Sequence, residues 1–372
     1  MSDYLTDIDV LKWEAGGLED GSSKIALLEE AVRLADSHNN IEAGFKTRMD
    51  LIEAAQFGGR PDLSIVSFSW CLSQHDQDPE LEDAYSLLYR YKWIVSSLPE
   101  FPEISRQQID AMLADLKRRY TALGGSLHSV VQLKTEVHRS MGDLTAAEES
   151  MAKLERLECD RFSDCRACTV DHATSYLVDA GRDEEAFEKA QPILNGRMRC
   201  AEIPWRTYSK LLLSALRLGC PERGMTLHQK SFRKISSNPK WIDRLADHLM
   251  FLALTHNAAK GAKLLERQLL ESLNTPSQLN RLHFLRGVTL FLDHVLEQNK
   301  KSLKLRLPAS FPIYVSEGIY DTTELKSWVD SLLENLADRF DARNGNNFYR
   351  KLVEGTPALK ALAMPCPLSA RG

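Results

Sequence analysis

Along most of the chain the apolar positions return every three or four residues. "KIALLEEAVRLADS" places Ile25, Leu28, Val32 and Ala35 on one face of a helix. "QIDAMLADLKRRYTAL" does the same with Ile109, Leu113, Leu116 and Tyr120. Strand-like alternation is nearly absent before residue 300. The pattern predicts an all-α protein.

The turns between these helices recur at a near-constant interval. "GDLTAAEES" begins at Gly142, "GRDEEAFEKA" at Gly181, "GCPERGMTLH" at Gly219 and "NAAKGAKLLE" at Asn257, in steps of 39, 38 and 38 residues. In each, Gly or Asn suits the left-handed position that ends a helix. A small residue, Ala147, Ala186, Gly224 or Ala262, falls five residues on, where it lets two helices approach closely. A repeat of this length with two helices per unit predicts stacked helical hairpins, an α-solenoid. Earlier turns in "NNIEAGF" (39–45) and "GGRPDLSIV" (58–66) start the array near residue 24.

After about residue 300 the register changes. "KKSLKLRLPASFPIYV" alternates at Leu303, Leu305 and Leu307 and then meets Pro308 and Pro312, which fits a strand, an extended arm or an irregular connection. A last long helix follows, with Asp321, Thr322 or Thr323 as N-cap and Gly345 as its stop. Its stripe of Leu325, Trp328, Leu332, Leu336 and Phe340 predicts a lid over the helix at 277–297. The division expected is a solenoid over 1–300, then a C-terminal extended segment, capping helix and loosely ordered, proline-bearing tail over 301–372.

At this level the chain resembles the tetratricopeptide-repeat (TPR) family, through "YLVDAGRDEEAFEKAQPIL" at 176–194. There an aromatic stands in the first helix, Gly in the turn, Ala186 and Ala190 in the second helix and a proline near its end. The chain also looks like a group of uncharacterised bacterial TPR-like proteins. "AAQFGGRPDLSIVSFSWCL", "SDCRAC", "CAEIP" and "RFDARNGN" carry that likeness. The resemblance implies the fold and a surface for a protein or peptide partner; it implies no chemistry.

Composition adds little until the cysteines are placed. The chain has 372 residues, 43% apolar and 27% charged, with a net charge of −5. That balance speaks against nucleic-acid binding, and no apolar run is long enough for a bilayer. The acidic start "MSDYLTDIDV" is unlike a signal peptide, so a cytoplasmic location is expected. In such a compartment a cluster of thiols points to metal or catalysis rather than cross-linking. "ECDRFSDCRACTVDH" (158–172) holds three of the seven cysteines. Cys165 and Cys168 form C-x2-C at the start of a helix, and Cys200 sits just before the equivalent helix one repeat on. A zinc ion shared by these three would staple one repeat to the next. For the fourth ligand the expectation is His228, which looks like part of the family's "LHQKSFRK"; His172 and Cys159 are local alternatives. The competing explanation is three small buried side chains under a loop.

No H-E-x-x-H, G-x-S-x-G, P-loop or G-x-G-x-x-G pattern appears. "GGRPD" and "GGSLH" read as hairpin turns, and Trp70, Tyr85, Tyr89, Tyr91 and Trp93 as core. Cations in "GRMR" and "WRTYSK" read as solvated faces before an acidic-peptide groove. Arg339, Asp341, Arg343 and Asn344 read as a network docking the last helix. Two functions follow. One is a non-catalytic binding scaffold with a structural zinc. The other is a metal-dependent enzyme or a redox or metal sensor built on Cys165, Cys168 and Cys200.

Overall fold

The computed structural model describes residues 3–368. Among them nineteen α-helices, four short 3-10 helices and one two-stranded sheet make up the regular structure. The chain is 72% helical, about twice the share of an average globular domain, so it is an all-α protein. Among the described residues no helix is long and apolar enough to cross a membrane. The chain falls into two compact units, one of residues 1–163 with 238–240, the other of 164–237 with 241–372. The change of register near residue 300 therefore lies inside the second unit, and 301–368 belong with 164–237.

The first unit holds α1 (Tyr4–Gly16), α2 (Ser22–Ser37), α3 (Ile41–Phe57), α4 (Pro61–Gln77), α5 (Ala84–Ser97), α6 (Arg106–Ala122), α7 (His128–Ser140) and α8 (Leu144–Leu154). Successive helices pack on each other across their turns, α1 on α2, α3 on α4 and α7 on α8. In α6 the predicted stripe Ile109, Leu113, Leu116 and Tyr120 is wholly buried, behind a capping box of Ser105 and Gln108. In α2 the stripe rotates slightly: Ala31 is buried and Val32 only half-buried. "GGSLH" forms the turn into α7, where a side chain on Gly125 would collide with the buried Phe162 ring. Tyr91 is fully buried, and Trp70, Tyr85, Tyr89 and Trp93 pack around the same core.

The second unit holds α9 (Arg166–Asp179), α10 (Asp183–Lys189), α11 (Gln191–Leu194), α12 (Trp205–Lys210), α13 (Leu212–Arg217), α14 (Pro221–Ile235), α15 (Ile242–Leu254), α16 (Ala258–Asn274) and α17 (Gln278–Glu297). Then come β1 (Ser302–Lys304), β2 (Ile319–Asp321), α18 (Thr322–Asn344) and α19 (Phe348–Glu354). Pro192 stands at the break between α10 and α11, where its missing N–H ends the regular ladder. The left-handed turn positions are Gly142, Gly181, Gly219 and His256, with φ of 72°, 71°, 69° and 60°. The fourth turn thus ends one residue earlier than expected, on His256 rather than Asn257. The small buried residue moves with it, from Ala262 to Gly261, whose missing side chain makes room for Phe291. Gly224 does the same for Phe251, whose Cε2 would lie 2.6 Å from an added Cβ.

Leu303, Leu305 and Leu307 all turn into the core, and Leu303 pairs with Tyr320 across the antiparallel β1–β2 ladder. Asp321 caps α18 by accepting from Thr323 and Glu324 N–H groups, and Gly345 (φ 70°) ends it. α18 packs on α17 through Leu325, Val329, Leu333, Leu336 and Phe340; Trp328 and Leu332 lie at the edge of that contact. The Asp341 carboxylate then accepts the Tyr349 and Arg350 N–H groups, both at 2.9 Å, and so ties α19 to α18.

The tail departs from its expected looseness. Residues 357–362 form a 3-10 turn and 363–368 run extended against the end of α15. Met364 N–H donates to Leu254 C=O, Cys366 N–H to Thr255 C=O, and Leu368 N–H to Asn257 Oδ1. Pro365 and Pro367 occupy the positions between, where an N–H would have had no partner. Leu362, Met364, Cys366 and Leu368 are half-buried while the residues between them are exposed. Residues 369–372 lie outside the described residues.

Candidate metal centre

Cys165 is the N-cap of α9, in extended conformation (φ −61°, ψ 155°), so the first N–H groups of the helix point towards its sulfur. Cys168 lies in the first turn of the same helix. Cys200 arrives on the loop 195–204. That loop is pinned by the buried Ile203, whose C=O accepts from Cys200 N–H at 3.1 Å. The three Sγ atoms all lie within 4.8 Å of one another, and Cys168 and Cys200 are 3.5 Å apart. Two thiolates on one tetrahedral zinc, with Zn–S of about 2.3 Å, sit roughly 3.8 Å apart. A disulfide needs about 2.05 Å, and all seven cysteines are free thiols.

The electrostatics of the three are unequal. Burial works against ionising Cys165, but the backbone N–H groups of Cys168 and Ala167 and the neighbouring thiols outweigh it and hold this thiol below its ordinary range. Cys168 is pushed well up, first by burial and then by Cys200 and Cys165; Arg206 opposes the shift. Ionisation is thus eased at Cys165 and opposed at Cys168, chiefly by burial. A bound dication would favour the ionised form of both.

The sequence reading passed over the ion pair that joins the same two segments. Asp171, 1% exposed, accepts from Arg206 Nε at 2.6 Å and from Thr207 Oγ1. Burial alone would raise its carboxyl; Arg206 and its other partners hold it below the usual carboxylate range. Arg206 Nη1 also reaches Glu202 at 3.0 Å, while Nη2 is buried without a hydrogen-bond partner. A signal was available: Asp171 stands three residues after Cys168 on one helix face, and Arg206 six after Cys200. Arg206 and Lys210, the latter 2.6 Å from Asp179, are thus internally paired rather than solvated.

His228 is not brought to the thiols. It lies mid-way along α14, 5% exposed, with Nδ1 2.7 Å from Nδ1 of His248 on α15 and its ring stacked on Phe232 and Phe251. Its helix face looks towards α15. Nor do the alternatives join. His172 Nε2 lies 3.6 Å from Asp164 Oδ2, and Cys159 belongs to the first unit, where its sulfur meets His128. Among the described residues the group that could hold a metal ion offers three ligand atoms, from Cys165, Cys168 and Cys200. No protein-family model matches the chain, and a search of curated proteins finds no match to it.

Proposed function

We propose that the protein is a protein- or peptide-binding scaffold without catalytic activity, a TPR-like α-solenoid in which one structural zinc ion on Cys165, Cys168 and Cys200 staples adjacent repeats. The observation that carries the zinc is the convergence of three thiols from two segments on a space the size of one ion. Three thiolates in a roughly tetrahedral set favour zinc over harder cations. The ion would fix the loop 195–204 to the start of α9, beside the Asp171–Arg206 pair. The fourth position is left to a ligand from outside the three cysteines.

What supports the repeat array is the near-38-residue return of left-handed turns at Gly142, Gly181, Gly219 and His256, each with a buried small residue five on. In this reading α18 and α19 cap the last hairpin, which would otherwise expose an apolar face. The exposed Cys165 and the three-membered ligand set favour a second reading, a metal or redox sensor.

Elemental analysis of protein purified without chelators tests the site: about one zinc per chain is expected, and none in Cys168→Ala. Metal-free wild type that keeps its full melting temperature overturns the staple. Metal or redox state that switches partner binding on and off in a chain that stays folded supports the sensor. Capture of a partner by the metal-loaded chain, competed by a peptide from that partner, tests the scaffold.

A further inference from the structure

A second thiol site stands in the first unit and owes nothing to the metal. Cys159, exposed, has its sulfur 3.3 Å from Nε2 of His128 at the start of α7. The imidazole is 3% exposed, and its Nδ1 lies 3.2 Å from Ser163 Oγ. The serine hydroxyl has one proton to give. It donates that proton to Asp160 Oδ1 (3.3 Å) and accepts the Asp160 N–H (3.0 Å). Towards His128 its oxygen can then only accept. The imidazole proton is thereby placed on Nδ1, and Nε2 faces the thiol as a base. A nucleophile, a base and a third group that sets the base's tautomer form the arrangement by which proteins activate a thiol.

The loop that presents Cys159 is held firmly. Asp160 accepts the Ser126 N–H at 2.6 Å and the Phe162 N–H at 2.9 Å. The Phe162 ring is fully buried between Tyr120 and Tyr85, with centroids 4.5 and 5.3 Å away. Its carbonyl accepts from Lys92 and Ser129, both at 2.7 Å. The spacing between sulfur and base is therefore set by a packed loop.

We infer that Cys159 is an activated thiol and a site of S-thiolation, in which His128 takes the thiol proton as the sulfur attacks a small disulfide from solvent. The new bond forms between Cys159 Sγ and one sulfur of the disulfide, and the disulfide bond breaks. The electron pair leaves with the other sulfur, which recovers the proton from His128 Nε2. Cys159 is oxidised to a mixed disulfide, and half of the small disulfide is reduced to a free thiol. Ser163 is a positioning residue: it touches His128 and not the reacting sulfurs.

The test uses the full chain as purified, with bis(2-hydroxyethyl) disulfide as probe at pH 7.5. Tryptic peptides carry two of the three exposed thiols separately, "LECDR" for Cys159 and "LGCPER" for Cys220. Among the described residues Cys220 is hydrogen-bonded to no base, its thiol donating only to the Leu218 carbonyl at 3.4 Å, and it serves as the internal reference. General-base assistance commonly contributes 10²–10⁴-fold; a ratio of Cys159 to Cys220 rates of at least roughly tenfold is expected here. His128→Gln should bring the ratio near one. Ser163→Ala, a small change at the end of the loop, should lower it at least about threefold while circular dichroism stays unchanged. A wild-type ratio near one overturns the inference. So does a high ratio that survives Ser163→Ala in a folded protein, because exposure alone would then explain it. If His128→Gln does not fold, the wild-type ratio and Ser163→Ala still decide.

Discussion

Two loops carry the thiols that matter, and they are held by opposite means. Residues 155–163, in the first unit, are anchored by their own side chains: a buried Phe162, and an Asp160 carboxylate that gathers the N–H groups of Ser126 and Phe162. Residues 195–204, in the second unit, bury apolar groups only at their end, in Ile203 and Pro204, and expose Gly196, Arg197, Arg199 and Ala201. What joins this loop and the start of α12 to α9 is a thiol group and the Asp171–Arg206 pair. A loop with its own core can leave its cysteine unpaired with metal and set it against a base. A loop without one, in the function proposed here, gives its cysteine to a shared ion. The difference teaches that the same residue type takes its chemistry from how its segment is anchored.

The largest test of that contrast removes the aromatic anchor. Phe162→Ala empties a fully buried site ringed by Tyr85 and Tyr120, and such truncations cost about 3–5 kcal/mol. Urea denaturation should show the loss, and hydrogen exchange should show the amides at positions 126 and 162 unprotected. The zinc content should not change. A variant that lost zinc while keeping its stability would reverse the assignment of anchors.

Metal removal is the complementary test. At zinc concentrations near 100 times the dissociation constant, the bound ion stabilises by about 2.7 kcal/mol. A chelator should remove that and raise exchange in 197–204 and in the first turn of α9. Protection of the Asp160 loop should persist. Equal loss of protection in both loops would break the contrast.

Acid should also act on the second unit. Burial first, and Lys260 second, depress His228 to about 4; burial and His228 hold His248 well below its usual value. His283 is likewise lowered to about 4, chiefly by burial. An unfolded chain protonates each near pH 6.5, so between 6.5 and 4 the unfolded state binds more protons and stability falls as the pH falls. Asp247 opposes this: burial raises it to about 6, so the native state keeps a proton that the unfolded chain releases nearer 4. Three imidazoles outweigh one carboxyl. Chelated protein, in which metal loss no longer contributes, should melt lower at pH 5 than at pH 7.5, with His228 alone responsible for about 1–2 kcal/mol. In His228→Gln the drop should shrink. An unchanged drop in that variant would place the acid sensitivity elsewhere.

Much of the fold was legible because periodicity is a physical record of burial. The stripe Ile109, Leu113, Leu116 and Tyr120 and the alternation of Leu303, Leu305 and Leu307 both point inward. The fourth turn was misplaced by one residue because a histidine, not Gly or Asn, takes the left-handed position, and its side chain gives no sign of that. Asn257 has another duty, bracketing the backbone of Cys366 and Leu368 with its amide. The tail looked loose because prolines usually mark looseness; here they stiffen an extended strap. Within the candidate metal site, the meeting of Cys165, Cys168 and Cys200 was expected from their spacing along the chain. His228 was not, because register fixes the height of a residue along a hairpin and leaves open which neighbour its helix face meets. The pairing of Cys159 with His128 crosses 31 residues without any repeat relation, and no spacing rule announces it.

The smallest change sharpens the contrast most finely. Asp160→Asn keeps the shape of the carboxylate and one acceptor oxygen but removes the charge. Asp160 now accepts from Ser126, Phe162 and Ser163. Hydrogen bonds to a charged acceptor contribute about 1.5–3 kcal/mol against 0.5–1.5 for neutral ones, so the variant should lose roughly 1 kcal/mol. The amide brings two N–H donors in place of one oxygen. One of them then faces Ser126 N–H, or the amide turns and faces the Phe162 N–H and the Ser163 hydroxyl. In the second orientation Ser163 Oγ loses the acceptor for its proton and is free to donate to His128 Nδ1. That would move the imidazole proton to Nε2, where it no longer accepts from the thiol. The variant should therefore split into two measurable effects: a small fall in stability by urea denaturation, and a disproportionate fall in the Cys159-to-Cys220 modification ratio. If both fall only in step with each other, Asp160 acts as an anchor alone, and the tautomer of His128 is set by something other than Ser163.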